Sequence, residues 1–194
     1  EVQLRDFALQ PLLAHLGATL GVIAHKHGLE LRVQACRAFV YSDEALLRRI
    51  LQNFVSNAIR YTRHGRIVLG CRRVGQSLRI EVHDQGPGIP ESLHQEIFEE
   101  FRRLETGREH ERGAGLGLSI VHRLGKLLQH AVGLRSTLGH GSVFWVQVPL
   151  AAAPQNASQP LQATMALLKG ADVEVAAEGG GDVVRGGQLA ALGD

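Results

Sequence analysis

"LLRRILQNFVSNAIRYT", residues 46–62, decides the fold. At ~100° per residue, Leu47, Ile50, Leu51, Phe54, Val55 and Ala58 cover one broad arc of a helix. Asn53, Asn57 and Arg60 fall within about 60° of each other on the opposite side. Ser42 or Asp43 can cap this helix, with Asp43 and Glu44 in its first turn, and the pattern runs to about Tyr61. One side is therefore core, and the other carries two amides and a guanidinium. An amide oxygen can ligate Mg²⁺, a hard cation that takes oxygen ligands. An arginine three residues on can meet phosphate oxygens through charge-assisted bonds. A polar solvent face has the same composition, so this helix alone does not choose between the two.

On its N-terminal side, Pro11 suits a first helical turn, and Leu12, Leu13, Leu16, Leu20 and Ile23 recur at helical spacing up to a stop at Gly28. "LELRVQA", 29–35, alternates as a strand, and "AFVYS", 38–42, reads as a second short one. On the C-terminal side, "HGR", 64–66, turns into the strand "IVLGCRRV", and "SLRIEVHD", 77–84, alternates and ends on Asp84. Residues 85–113 are polar, rich in Gly, Pro, Glu and Arg, and too long for a plain connector. They read as a functional loop with one short helix around Phe98. A helix over about 115–129 follows, with Leu118, Val121, Leu124 and Leu128 on one face. "AVGLRST" and "GSVFWVQVPL" are a final strand pair turned by "LGHG", 138–141. This order predicts an α+β fold, one mixed sheet with helices on one face.

Bulk composition narrows the function. A length of 194 residues suits one domain or a domain with a tail, and 44% hydrophobic with 21% charged residues suits a soluble globular chain. A net charge of +2 gives no basis for a general nucleic-acid surface. Arg102, Arg103, Arg108 and Arg112 do cluster, as a local anion site or a solvated loop would. No apolar run approaches the ~18–20 residues that span a bilayer, and no signal peptide is expected. Cys36 and Cys71 make no metal or redox spacing, so reduced cytosolic thiols are expected. His83 and His110 are expected to be solvated. After Pro149 the chain becomes linker-like and then Gly/Ala-rich. The expected division is 1–150 and a poorly ordered tail, 151–194.

Two further stretches carry chemistry. In "HDQGPGIPE", 83–91, a strand delivers Asp84 and the chain turns at once through Gly86, Pro87 and Gly88. The glycines let a flat ligand approach the backbone, and the carboxylate can accept from an exocyclic amine such as that of adenine. Good turn chemistry would look the same. In "RGAGLGLSIV", 112–121, Gly113, Gly115 and Gly117 precede a helix whose N–H groups and positive dipole end can bind a polyphosphate. It is neither a dinucleotide fingerprint, which needs glycine at Leu118, nor a Walker loop, since Gly125-Lys126 is followed by Leu127.

Taken in order, these stretches resemble the catalytic and ATP-binding domain of sensor histidine kinases, within the gyrase/Hsp90/MutL-like ATPase superfamily. "LLRRILQNFVSNAIRYT" is similar to the N box and "DQGPGIP", 84–90, to the first glycine box. "IFEEFRRLE", 97–105, is similar to the F box, and "GAGLGLSIV", 113–121, to the second glycine box. "GHGSVFWVQVPL", 139–150, resembles the closing strand pair, so the likeness covers about 4–150. It implies a two-layer α/β sandwich of Bergerat type, with ATP and Mg²⁺ under a long lid. It further implies that Asn57 holds Mg²⁺ with Asn53 beside it, and that Arg60 and Tyr61 lie near the phosphates. Asp84 would bind the adenine amine in a pocket shaped by Gly86, Gly88 and Ile89, with Ser142 helping through a water. Phe98 and Phe101 would anchor the lid. Arg103 or Arg112 would reach the γ-phosphate, and Gly113, Gly115, Leu116, Gly117 and Leu118 would wrap the phosphates.

The superfamily's hydrolases have a glutamate where this chain has Asn53, and an amide cannot take the proton from water. The resemblance thus implies a domain that holds ATP until an acceptor docks. In the family the acceptor is a histidine on a dimerisation helix, and none of the ten histidines here sits in that motif. The expected partners are those helices, absent from this chain, and a response-regulator receiver domain. No nucleic acid or direct membrane contact is expected. The isolated domain is expected to be cytoplasmic and monomeric. "LQATMALLKGADVEVAAEGG", 161–180, resembles the first helix and second strand of a receiver domain, and an Ala/Gly-rich disordered tail is the other reading. The alternatives are a related serine kinase or ATPase, and a nucleotide-sensing module that transfers nothing.

Overall fold

The computed structural model describes residues 1–98 and 117–152, all within one compact unit, Glu1–Pro154. The elements run β1 (Arg5–Ala8), α1 (Leu9–Lys26), β2 (Leu29–Val33), β3 (Phe39–Ser42), α2 (Glu44–Tyr61), β4 (Gly65–Val74) and β5 (Ser77–His83). Two 3₁₀ turns follow, Glu91–Leu93 and Glu96–Phe98, then α3 (Gly117–Leu128), β6 (Ala131–Thr137) and β7 (Gly141–Ala151). The predicted mixed α+β fold is the observed one.

The strands form a seven-stranded sheet in the order β1-β3-β7-β5-β4-β2, with β6 also paired to β7. β2 and β4 pair in parallel, Val33 opposite Leu69, because β3 and α2 intervene as a crossover. The other pairs are antiparallel. β5 and β7 form the long central ladder, Val82 opposite Phe144 and Ile80 opposite Val146.

Period-two alternation sends Leu78, Ile80 and Val82 of β5, and Phe144, Val146 and Val148 of β7, to one buried face. The helices bury their stripes against it. Leu9, Leu12, Leu13, Leu16, Leu20 and Ala24 recur at three- and four-residue steps along α1 and are buried. On α2 the predicted arc is the core face, and the Phe54 ring stacks on Phe144 with centroids 5.5 Å apart. Asp43 supplies the N-cap: its Oδ1 accepts from the Ala45 and Leu46 N–H groups, each at 3.0 Å. On the outer face, Arg79 lies 4.1 Å over the Trp145 ring. A shallow cavity of about 450 Å³ also opens there, between Arg66, Arg72, Glu81 and His83.

Two expectations are corrected. Cys36 and Cys71 form a disulfide rather than two reduced thiols. The parallel register explains it: Val33 faces Leu69, and the Gln34 N–H donates to the Leu69 carbonyl, so the chain just beyond β2 arrives beside Cys71. His83 is not simply solvated, since its Nε2 lies 2.9 Å from a Glu81 carboxylate oxygen. Burial raises the Glu81 carboxyl, but hydrogen bonds and charge from Arg72 and His83 more than offset this and hold it below the usual range. β1 is an element the sequence reading did not contain.

Candidate functional site

The polar strip of α2 faces the start of α3. Asn53 and Asn57 are half-buried, and Arg60 and Tyr61 are exposed at the helix end. The Asn53 side-chain amide donates to the Arg49 carbonyl at 2.7 Å, which leaves its Oδ1 as the free end of the group. That oxygen abuts Gly117. A Cβ at Gly117 would lie 2.9 Å from Asn53 Oδ1 and 3.8 Å from both amide atoms of Asn57. A side chain here would push the Asn53 oxygen aside and come into ordinary contact with Asn57, so glycine leaves the Asn53 amide its place where α3 starts beside α2.

The second part of the site hangs from the end of β5. Asp84 continues the inward-facing series Leu78, Ile80, Val82, and its N–H donates to the Ser142 carbonyl at 2.9 Å. Its Oδ1 accepts from the Gly86 N–H at 2.9 Å and the Ser142 N–H at 3.2 Å. Burial raises this carboxyl above its ordinary range, and the two N–H donors and His83 offset only part of that. Gly86 packs tightly between its neighbours: a Cβ there would stand 3.0 Å from Asp84 Oδ1 and 3.3 Å from the Tyr61 carbonyl oxygen. The loop after Asp84 thus rests against the C-terminus of α2.

The β6–β7 hairpin holds the rest of that loop. The Gly139 N–H donates to the Pro87 carbonyl at 2.7 Å, and the Ile89 N–H donates to Ser136 Oγ at 2.8 Å. His94 Nε2 lies 3.0 Å from the Ile89 carbonyl oxygen. Gly88 adopts φ +70°, with the Thr137 carbonyl where a Cβ would go.

The sequence-predicted residues thus gather along one path. Asn53, Asn57, Gly117 and half-buried Leu118 lie on one side. Asp84, Gly86, Gly88, Ile89 and Ser142 lie on the other, joined to the first through Tyr61. Phe98 sets its ring 6.1 Å from that of His122 on α3. Arg103, Arg112, Gly113, Gly115, Leu116 and Phe101 lie outside the described residues, as do 153–194. Sequence reasoning missed Ser136, Gly139 and Gly141. The predicted hairpin held the clue, since it puts Ser136 opposite Ser142.

The arrangement can do limited chemistry by itself. Among the described residues no three His, Cys, Asp or Glu side chains gather to hold a metal, and the side-chain oxygens nearest Gly117 are those of the Asn53 and Asn57 amides, hard donors that suit a hard cation. Among the same residues no helix is long and apolar enough to cross a membrane.

Comparison with known proteins places the fold. Residues 42–152 match the histidine kinase-, DNA gyrase B-, and HSP90-like ATPase family, and the chain belongs to it. It is 33% identical over 158 residues to the sensory/regulatory protein RpfC of Xanthomonas campestris pv. campestris, covering 76% of this chain and 22% of RpfC. The chain therefore spans under a quarter of that relative. Full-length ShkA, crystallised in complex with AMPPNP, superposes with a TM-score of 0.70 at 34% identity, over 79% of this chain and 32% of ShkA. The catalytic domain of the histidine kinase ThkA superposes with a TM-score of 0.65 at 25% identity, over 76% of this chain and 95% of that domain. This is a histidine kinase-type ATPase domain, and its relatives are sensor histidine kinases.

Proposed function

We propose that residues 1–150 bind Mg·ATP along this path and donate the γ-phosphoryl group to a histidine on a dimerisation helix outside this chain, in two-component signalling. The observation that carries the reading is the closure of Gly117 on the Asn53 and Asn57 amides, with Asp84 fixed across Tyr61. The residues fit the ligand. A base with an exocyclic amine meets an acceptor at Asp84, and the backbone close to it belongs to glycine. Asn57 would hold Mg²⁺ through its amide oxygen, with Asn53 beside it. The metal, when bound, neutralises charge on phosphate oxygens.

The remaining work falls to the chain. Arg60 and Tyr61 orient the phosphates, the N–H groups at the start of α3 donate to phosphate oxygens, and Arg103 or Arg112 reaches the terminal phosphate. Asn53 keeps the site without a base of its own, so transfer waits for a docked nucleophile. The receiver domain of a response regulator is the next acceptor.

The test is calorimetry with ATP in Mg²⁺, then incubation of the labelled complex with a protein bearing the histidine helix. Acid-labile phosphate on that helix is expected. Asn57→Ala should weaken Mg²⁺-dependent binding about tenfold or more, the scale of losing one charge-assisted contact. Equal binding by Asn57→Ala would refute the metal role. ATP turnover without any partner would favour a free-standing ATPase.

A further inference from the structure

Ser136 and Ser142 face each other across the β6–β7 ladder. Three contacts meet at the Ser136 hydroxyl. It donates to the Gly141 carbonyl at 2.9 Å, accepts from the Ile89 N–H at 2.8 Å, and stands 2.9 Å from Ser142 Oγ. A serine hydroxyl carries one proton and two lone pairs. With its proton on Gly141 and one lone pair on Ile89, Ser136 can meet Ser142 only as an acceptor. The Ser142 proton is therefore spent on Ser136, and Ser142 offers only lone pairs to whatever lies beside it. Its neighbour Asp84 is bound through the Ser142 N–H and is, as a carboxylate, also acceptor-only.

We infer that Ser136 is a specificity-determining positioning residue: by fixing the Ser142 hydroxyl as an acceptor, it makes the Asp84 pocket select a purine with an amine at C6 over one with a carbonyl there. This rests on the ATP reading above. A C6 carbonyl would meet two acceptors and no donor, and an unpaired polar group in such a pocket is discriminated against more strongly than a change of shape. Removing the Ser136 hydroxyl frees the Ser142 proton to turn and donate, and the penalty falls.

The experiment compares binding of ATP and inosine triphosphate, which differ at C6, to the full chain in Mg²⁺. The unsubstituted chain should prefer ATP. Ser136→Ala should narrow that preference about three- to tenfold, the range of one net hydrogen bond. Ser136→Thr, which keeps the hydroxyl, should restore it. Ser142→Ala should narrow it alike, and adding Ser136→Ala to Ser142→Ala should change it no further. Should Ser136→Ala not fold, Ser136→Cys fills the same space with a weak acceptor and replaces it. An ATP preference unchanged in folded Ser136→Ala or Ser136→Cys, even with weaker binding of both nucleotides, overturns the inference, as does additivity with Ser142→Ala. Failure of the unsubstituted chain to bind ATP at all would instead overturn the nucleotide reading.

Discussion

Gly88→Ala should cost far more than Gly139→Ala, although both glycines have positive φ, +70° and +82°. The left-handed conformation penalises an alanine by ~1 kcal/mol at either site. At Gly139 nothing lies within 4 Å of the new Cβ, so that penalty is the whole cost. At Gly88 the new Cβ would stand 2.7 Å from the Thr137 carbonyl carbon and 2.9 Å from Leu138 Cα. Backbone of a paired strand end cannot swing aside as a side chain can. The 86–90 loop must lift from the hairpin, breaking the Gly139-to-Pro87 and Ile89-to-Ser136 hydrogen bonds. At ~1 kcal/mol each, the expected total is about 3 kcal/mol against about 1 for Gly139→Ala. Guanidinium unfolding of the full chain measures both. Nucleotide binding should fall with Gly88→Ala, because the loop that lifts begins at Asp84. Costs within about 0.5 kcal/mol of each other would refute the claim that the hairpin clamps this loop.

Three other outcomes are expected. Burial holds the His130 imidazole below its ordinary range, only partly offset by the Gln129 backbone. A histidine lowered in the fold binds fewer protons there than when unfolded, so stability is full above about pH 6.5 and declines as the pH falls through the lowered value. Unfolding free energies from pH 7.5 to 5 should fall more steeply for the parent than for His130→Gln. The Cys36–Cys71 link closes a loop of 35 residues, so reduction or Cys36→Ser should cost about 3–4 kcal/mol in chain entropy, read as the shift of the parent's denaturant midpoint on adding reductant, or of the variant's against the parent's without it. Phe54→Ala should cost about 3–5 kcal/mol by opening a cavity against Phe144, and a melt within about 1 °C of the parent would contradict that packing.

What the sequence made legible is what local pattern encodes. The buried arc of α2 was readable because its apolar spacing is long and regular, and Asp84 because it directly follows an alternating strand. β1 was not readable, since four residues carry no period and their partner β3 lies beyond the whole of α1. The disulfide was hidden for a related reason. Cys36 and Cys71 meet through a parallel pairing across α2, and no spacing of cysteines reports a crossover. Ser136 was hidden in a strand whose exposed and half-buried residues give no hint of a shared hydroxyl. Only the register with Ser142 reveals it.

The position of Asn53 bears on what the site can do with its phosphate. Its nitrogen meets the Arg49 carbonyl at 2.7 Å, a contact that only a donor can make. A carboxylate at this place would set two acceptors against each other and lose the bond. The amide is thus held by the helix carbonyl behind it, with Gly117 in front. A water held here would meet an amide oxygen that stays neutral throughout the working pH range and cannot take its proton. Local geometry and chemical role agree: the helix itself stabilises an amide over an acid at this point. On the proposed function, bound nucleotide would be spared attack by water and kept for a nucleophile that brings its own activation when it docks.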